Sequence, residues 1–263
     1  MMEHATRVDN LLLAALPPAD FALLAPHLRK VVIQRDSALV RSGDRLEHLF
    51  FPLSGAIAAI TELPNGQTVA TAIIGHEGAV GLTSSLGASA SPATAVVRIP
   101  GTALQISRAQ FLAAQHRSPA IVSMVQVFTM SLLTQLQQMA ACNALHSVEA
   151  RLARWLLHIS DRANGGDLLP LTQETLSELL GVRRTTVTHV VSTMRASRAL
   201  KSDRRGQIEI DRPRLEALAC ECYKVMSREI DRTVSRGAIG LVHGAPARGA
   251  LHLPGSRRAG TSS

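Results

Sequence analysis

The chain has 263 residues, room for two modest domains, and 46% of them are hydrophobic, so a substantial core is possible. Aromatic residues are only 3%, which leaves aliphatic side chains and alanine to build that core. The formal charge of +8 is lopsided: residues 1–146 hold 9 Lys+Arg against 8 Asp+Glu, and residues 147–263 hold 19 against 12. The second half is therefore the one suited to a polyanion, although a solvated basic face fits the charge equally well. Cys142, Cys220 and Cys222 are too few for a disulfide framework. The N-terminus lacks the basic region of a secretory signal, and no apolar stretch is read as long enough to cross a bilayer. The expectation is a cytoplasmic protein with no membrane partner.

Residues 9–30 read as two short helices split by Pro17-Pro18, with Asp20 opening the second. From residue 31 short apolar runs, among them Ala56–Ile60 and Val69–Ile74, alternate with Gly, Pro, Asn and Ser. That texture predicts an antiparallel sandwich or barrel, with a hairpin turn at "LPNGQ" (Leu63–Gln67) because Asn-Gly tolerates positive φ. Residues 119–145 read as one long helix. Ile121, Val125, Phe128, Leu132, Leu136 and Met139 recur at spacings of three and four, an apolar stripe read as a homodimer seam. The bland reading is that this stripe lies on its own sheet.

Residues 147–160 predict a further helix with Leu152, Trp155, Leu156 and Ile159 on one side. Then comes "LTQETLSELLGVRRTTVTHVV" (Leu171–Val191). Thr172 can cap a first helix, whose buried face is Leu176, Leu179 and Leu180. Gly181 supplies a tight turn. In a second helix Val187, Val190, Val191 and Met194 follow i, i+3, i+4, i+7 and define the buried face. The opposite face carries Arg184, Thr185, Thr188, His189 and Ser192, all able to hydrogen-bond base edges. Arginine at the head of a helix opposes the dipole, so Arg183-Arg184 implies that this end points at something negative. Two short helices, a glycine turn and a polar outer face make a helix-turn-helix. "ALKSDRRGQIEID" (Ala199–Asp211) adds a basic hairpin, the wing, around Arg204-Arg205-Gly206. Residues 183–205 hold 7 Lys+Arg and one acidic residue, a cluster that can bind phosphate. Arg184, His189 and Thr185 are assigned to base readout, and Arg183 and Thr186 to phosphate. Thr188, Arg204 and Arg205 complete the expected DNA-binding set.

These residues resemble the Crp/Fnr family of bacterial transcription regulators. The resemblance covers about residues 10–225 and is most specific in "LTQETLSELLGVRRTTVTHVVSTM" and "RRGQIEIDRPRLEALACECY" (Arg204–Tyr223). "SGDRLEHLFFPLSGAIAAI" (Ser42–Ile60) looks like the opening strands of the family's cyclic-nucleotide-binding β-roll. The resemblance implies an α+β fold: N-terminal helices (1–30), a jelly-roll-like antiparallel β-roll (31–118), a dimerisation helix (119–145) and a winged helix-turn-helix (147–225). It implies a homodimer on a two-fold-symmetric operator in double-stranded DNA, with RNA polymerase as a further partner at promoters. Residues 226–263 are expected to be an extension, largely a disordered tail.

The chain departs from the family where a cyclic nucleotide would bind. Leu82 follows Gly81 where those members carry a glutamate, and Ser91-Pro92 stands about where they carry Arg-Ser. No charged residue lies between Glu77 and Arg98. The sensor domain is therefore expected not to bind cyclic AMP, and its effector is unknown. No cysteine precedes Cys142, which excludes the family's N-terminal iron–sulfur arrangement. Relatives often carry glycine just before the wing, where Arg198 stands here. Cys220 and Cys222 are read as packing residues, because no further Cys or His partner is near in sequence, and Cys142 as a seam or core residue. No cofactor or metal is expected. An alternative is a small-molecule sensor, with His76 and Glu77 near its pocket and DNA contact secondary. Without a nucleophile–base pair, phosphate loop or metal spacing the chain does not read as an enzyme. A cleft lined by convergent charged groups would reopen that reading.

Overall fold

The computed structural model describes residues 9–162, 166–202 and 207–240. Helices α1 (Leu11–Ala14) and α2 (Pro18–Leu24) precede seven strands: β1 (Arg29–Ile33), β2 (Ala38–Val40), β3 (His48–Pro52), β4 (Ala56–Glu62), β5 (Thr68–Ile74), β6 (Thr94–Ile99) and β7 (Gly101–Ser107). They form two antiparallel sheets, ordered β1-β7-β3 and β2-β6-β4-β5. The β4–β5 hairpin turns at the expected Asn-Gly, with Gly66 at φ +80°. Ile33, Phe50, Ile57, Ile74 and Val97, drawn from both sheets, form one buried apolar cluster with Val80.

After α3 (Arg108–Gln115) comes α4 (Pro119–Leu145). Ser118 caps it, Oγ accepting from the Ile121 N–H at 3.0 Å, and Pro119 takes the first helical position. Two expectations are corrected here. Ile121, Val125 and Phe128 pack with Leu49, Phe51 and Phe111 of their own chain, and Met139 packs with Ile73 and Trp155. Leu132 and Leu136 are half-buried. The stripe read as a dimer seam is therefore mainly the helix's inward face. Spacing of three and four identifies a face without saying what covers it, and α4 has a second such face outward. Gln126, Met130, Leu133, Gln137, Ala140 and Ala144 are all exposed. The helix is also long and apolar enough to cross a membrane by length and composition alone, with mean hydropathy 1.4 over its most apolar 18 residues, contrary to the expectation that no stretch would be.

The C-terminal half contains α5 (Val148–Arg162), β8 (Leu168–Leu169), α6 (Gln173–Leu180), α7 (Arg184–Ala196), β9 (Leu200–Ser202), β10 (Ile208–Ile210), α8 (Arg212–Leu218) and α9 (Cys222–Gly240). The boundary expected at residue 225 is not a break. α9 runs on to Gly240 along α4, and Met226 is buried beside Trp155. That apolar contact gives the segment a reason to be helical which its composition does not show. The rest of the expected tail lies outside the described residues.

The two halves share a core. Ile60, Ala70 and Ile73 of β4 and β5 belong to the same buried cluster as Trp155, Leu156, Leu176 and Leu180. Gly75 permits this close approach, because a Cβ there would stand 2.5 Å from the Arg162 Cβ. Around the contact Arg162 Nε donates to Glu77 Oε1 at 2.6 Å with both side chains buried, and Arg98 pairs with Asp36 and Glu178.

His158 on α5 is 2% exposed, and burial, then the charges of Arg162 and Arg154, push its pKa well below the ordinary histidine value. Unfolded, the same group takes up a proton near pH 6.5, so the unfolded state binds more protons below that pH. Stability should fall as pH drops below about 6.5, and His158→Gln should flatten the fall. Urea unfolding at pH 7 and pH 5 checks this. Parallel losses in both proteins would assign the acid sensitivity elsewhere.

Candidate nucleic-acid interface

Thr172 caps α6, its hydroxyl accepting from the Thr175 N–H at 3.1 Å, as the sequence predicts. The helix ends at Gly181, φ +63°, where a side chain would be strained and would also press on Val69 at 3.0 Å. Arg183 then stands at the N-cap of α7 and makes no side-chain capping bond. Its carbonyl accepts from Thr186 and Val187, while the guanidinium is left to the outside. The first turn of α7 is thus open to an anion at the positive end of the helix dipole.

Val187, Val190, Val191 and Met194 are buried, as predicted, and fix the rotation of α7. Arg184, Thr185, Thr188 and His189 consequently lie exposed on its outer side, and Thr186 is half-buried. Arg204 and Arg205 fall outside the described residues. The wing strands β9 and β10 do pair antiparallel, with β8 on the other edge of β10.

Two contacts at this face join α7 to α6. Arg184 Nη1 reaches Glu174 Oε2 across the turn at 3.4 Å, and Thr188 Oγ1 donates to Gln173 Oε1 at 2.9 Å. Both partners sit in the first turn of α6, where i+3/i+4 arithmetic within one helix does not reach. Arg198 adopts φ +60°, the left-handed region. A positive φ favours glycine, the residue that the family resemblance leads one to expect near here. A non-glycine residue there costs roughly 1–2 kcal/mol, so Arg198→Gly should raise stability by about 1 kcal/mol after the added freedom of the unfolded chain is counted. It also removes an exposed positive charge beside the wing. A variant that is less stable in urea would show that Arg198 contributes more by contact than it loses by strain.

The residues singled out near the expected effector pocket have other engagements. Leu82 is 1% exposed, within the apolar cluster of Leu49 and Phe51, and Ser91 Oγ donates to the Ala93 carbonyl. Glu77 is bound by Arg162, and His76 Nδ1 lies 3.4 Å from the Arg162 carbonyl oxygen, so both belong to the junction between the halves. A cleft of about 380 Å³ does open there, lined by His76, Glu77, His158, Asp161 and Arg162 among others. Its charges are largely matched: Glu77 to Arg162, and Asp161 to Arg212 at 2.8 Å and to the Tyr223 hydroxyl at 2.9 Å. The Glu77–Arg162 pair is buried, whereas Asp161 and Arg212 are about a third exposed.

Residues 150–218 match the model of the Crp-like helix-turn-helix domain, and residues 30–118 match the model of the cyclic nucleotide-binding domain. Among solved structures the chain is similar to FixK2 from Bradyrhizobium japonicum (17% identity, TM-score 0.62, covering 73% of this chain and 98% of that one). It is equally similar to a candidate crp/fnr-family transcriptional regulator from Eubacterium rectale (18%, TM-score 0.62, covering 79% and 96%). The c-di-GMP-responsive global regulator CLP from Xanthomonas campestris matches at 18% identity and TM-score 0.61, covering 74% and 99%. No curated protein matches the chain.

Proposed function

The chain belongs to the Crp/Fnr family of transcription regulators, and from that premise we propose a cytoplasmic homodimer that reads a two-fold-symmetric operator without cyclic AMP. The observation that carries the reading is the exposed, uncapped, arginine-led start of α7, rigidly aimed by four buried side chains behind it. Arg184, Thr185 and His189 would face base edges in the major groove. Arg183 and Thr186 would take phosphates, with Thr188 at the margin and Arg204 and Arg205 on the wing. RNA polymerase is the partner expected at a promoter. We assign the chain no catalytic role.

For the dimer the supporting feature is the outward face of α4. Gln126, Met130, Leu133, Gln137, Ala140 and Ala144 alternate at four and three residues, the heptad spacing of a two-helix seam. Met130 is 60% exposed and Leu133 46%, an apolar stripe that a second copy of the helix would cover. Leu133→Glu should give monomers in sedimentation velocity while leaving the chain folded, because the residue contributes little to the internal core. An unchanged dimer would place the seam elsewhere.

Loss of cyclic-nucleotide binding is supported by the filled β-roll. The chain between Glu77 and Arg98 offers no charged side chain, Leu82 packs inward, and Arg98 is itself committed to Asp36 and Glu178. Selection of genomic fragments by the purified protein at fixed salt, with and without cyclic AMP, tests the whole reading. It should yield one two-fold motif, its half-sites about one helical turn apart, in both conditions. A motif that emerges only with cyclic AMP would overturn the effector assignment, and none at all would overturn sequence-specific binding.

A further inference from the structure

All three cysteines of the chain meet at one place, together with a histidine. Cys142 and His146 lie four residues apart at the C-terminal end of α4, and Cys220 and Cys222 bracket the start of α9. The four ligand atoms all lie within 4.8 Å of one another. Cys142 Sγ is 3.6 Å from Cys220 Sγ, and Cys222 Sγ is 3.6 Å from His146 Nδ1. We propose that Cys142, His146, Cys220 and Cys222 form a tetrahedral Cys3His site for a single zinc-class divalent metal ion, which clamps the end of the long helix to the last helix pair of the DNA-reading half.

The Cys142–Cys220 and Cys222–His146 separations of 3.6 Å fit one ion, and pairs as far apart as 4.8 Å would draw in by up to about 1 Å on binding it. Zinc–sulfur bonds of about 2.3 Å and zinc–nitrogen bonds of about 2.0–2.1 Å set the edges of a tetrahedron at roughly 3.5–3.8 Å. A multi-iron cluster would need its ligand atoms farther apart. Three soft sulfurs and one imidazole suit zinc and disfavour magnesium or calcium.

The surroundings are those of a metal site as well. His146 Nε2 lies 3.1 Å from Glu221 Oε1, which places the ring proton on Nε2 and leaves the Nδ1 lone pair facing the sulfurs. Gln138 Nε2 donates to Cys222 Sγ at 3.1 Å, a bond that favours a thiolate. The charge also balances. Three thiolates, a neutral imidazole and a divalent ion carry net −1. Arg154, which is 0% exposed, donates to the thioethers of Met139 and Met226 and lies over the Trp155 ring, none of which is anionic, and its Nε has no hydrogen-bond partner among the described residues. The cluster supplies the nearby negative charge that this buried guanidinium requires.

The test uses the full chain, purified with reductant under anaerobic conditions. It should carry one zinc per chain through gel filtration. Exchange for cobalt(II) should give tetrahedral ligand-field bands with thiolate-to-metal charge transfer. Cys220→Ser should lose the charge-transfer intensity from one thiolate. Glu221→Gln, altered at an exposed carboxylate and so expected to fold normally, should bind zinc about 10–100-fold more weakly. Reduced protein that binds neither zinc nor cobalt(II) would overturn the site, as would a Cys142–Cys220 disulfide in a protein that takes up no metal once reduced. Wild-type zinc affinity in both variants would overturn it too.

Discussion

Arg184→Ala should lower affinity for the operator by about 1–3 kcal/mol per half-site while leaving affinity for random DNA nearly unchanged. The residue sits at the first position of α7 with 68% of its side chain exposed, and among the described residues its guanidinium is held by a 3.4 Å contact to Glu174. An exposed pair of that kind is worth about 0–1 kcal/mol, less than a bidentate bond to guanine. DNA can therefore take Arg184 from Glu174 at little cost. Arg183→Ala should behave differently, weakening binding to all sequences and reducing the salt slope by about 1. Anisotropy titrations on operator and random duplexes, at two salt concentrations, separate the two. Equal losses on both DNAs for both variants would dissolve the division of roles.

Glu77→Ala should cost about 3–5 kcal/mol of stability, the penalty for stranding one partner of a buried ion pair. The side chains of Arg162 and Glu77 are 5% and 9% exposed, and Glu77 Oε1 accepts from the Gly75 N–H at 3.2 Å as well. Arg162 would keep Gln135 Oε1 at 3.2 Å and the His158 carbonyl, which are dipoles and cannot replace a charge. Glu77→Gln keeps acceptors in place and should fall between the two. Urea unfolding of the three proteins at pH 7 gives the order, and a loss under about 1 kcal/mol for the alanine variant would mean that water reaches the pair.

What the sequence made legible was local. The turn at Gly181, the buried stripe of α7, the cap at Thr172 and the Asn-Gly hairpin each follow from neighbours within seven residues, and each is in the structure. What it concealed joins distant segments. Glu77 and Arg162 are 85 residues apart, Arg98 and Glu178 80, and Cys142 and Cys220 78. Cys220 and Cys222 are buried with Cys142, as packing residues would be, but sequence proximity does not show that Cys142 and His146 join them. The misplaced dimer stripe has another cause. α4 is apolar on two sides, and periodicity has no term for which side its own sheet claims.

The central claim, that the arginine-led end of α7 reads bases, is tested most directly by replacing single guanines of the selected operator with 7-deazaguanine, which removes only the N7 acceptor. The account predicts one guanine per half-site at which the replacement weakens wild-type binding and leaves Arg184→Ala unaffected. Wild-type binding indifferent to every such replacement, or an equal loss in both proteins at the same guanine, would contradict it.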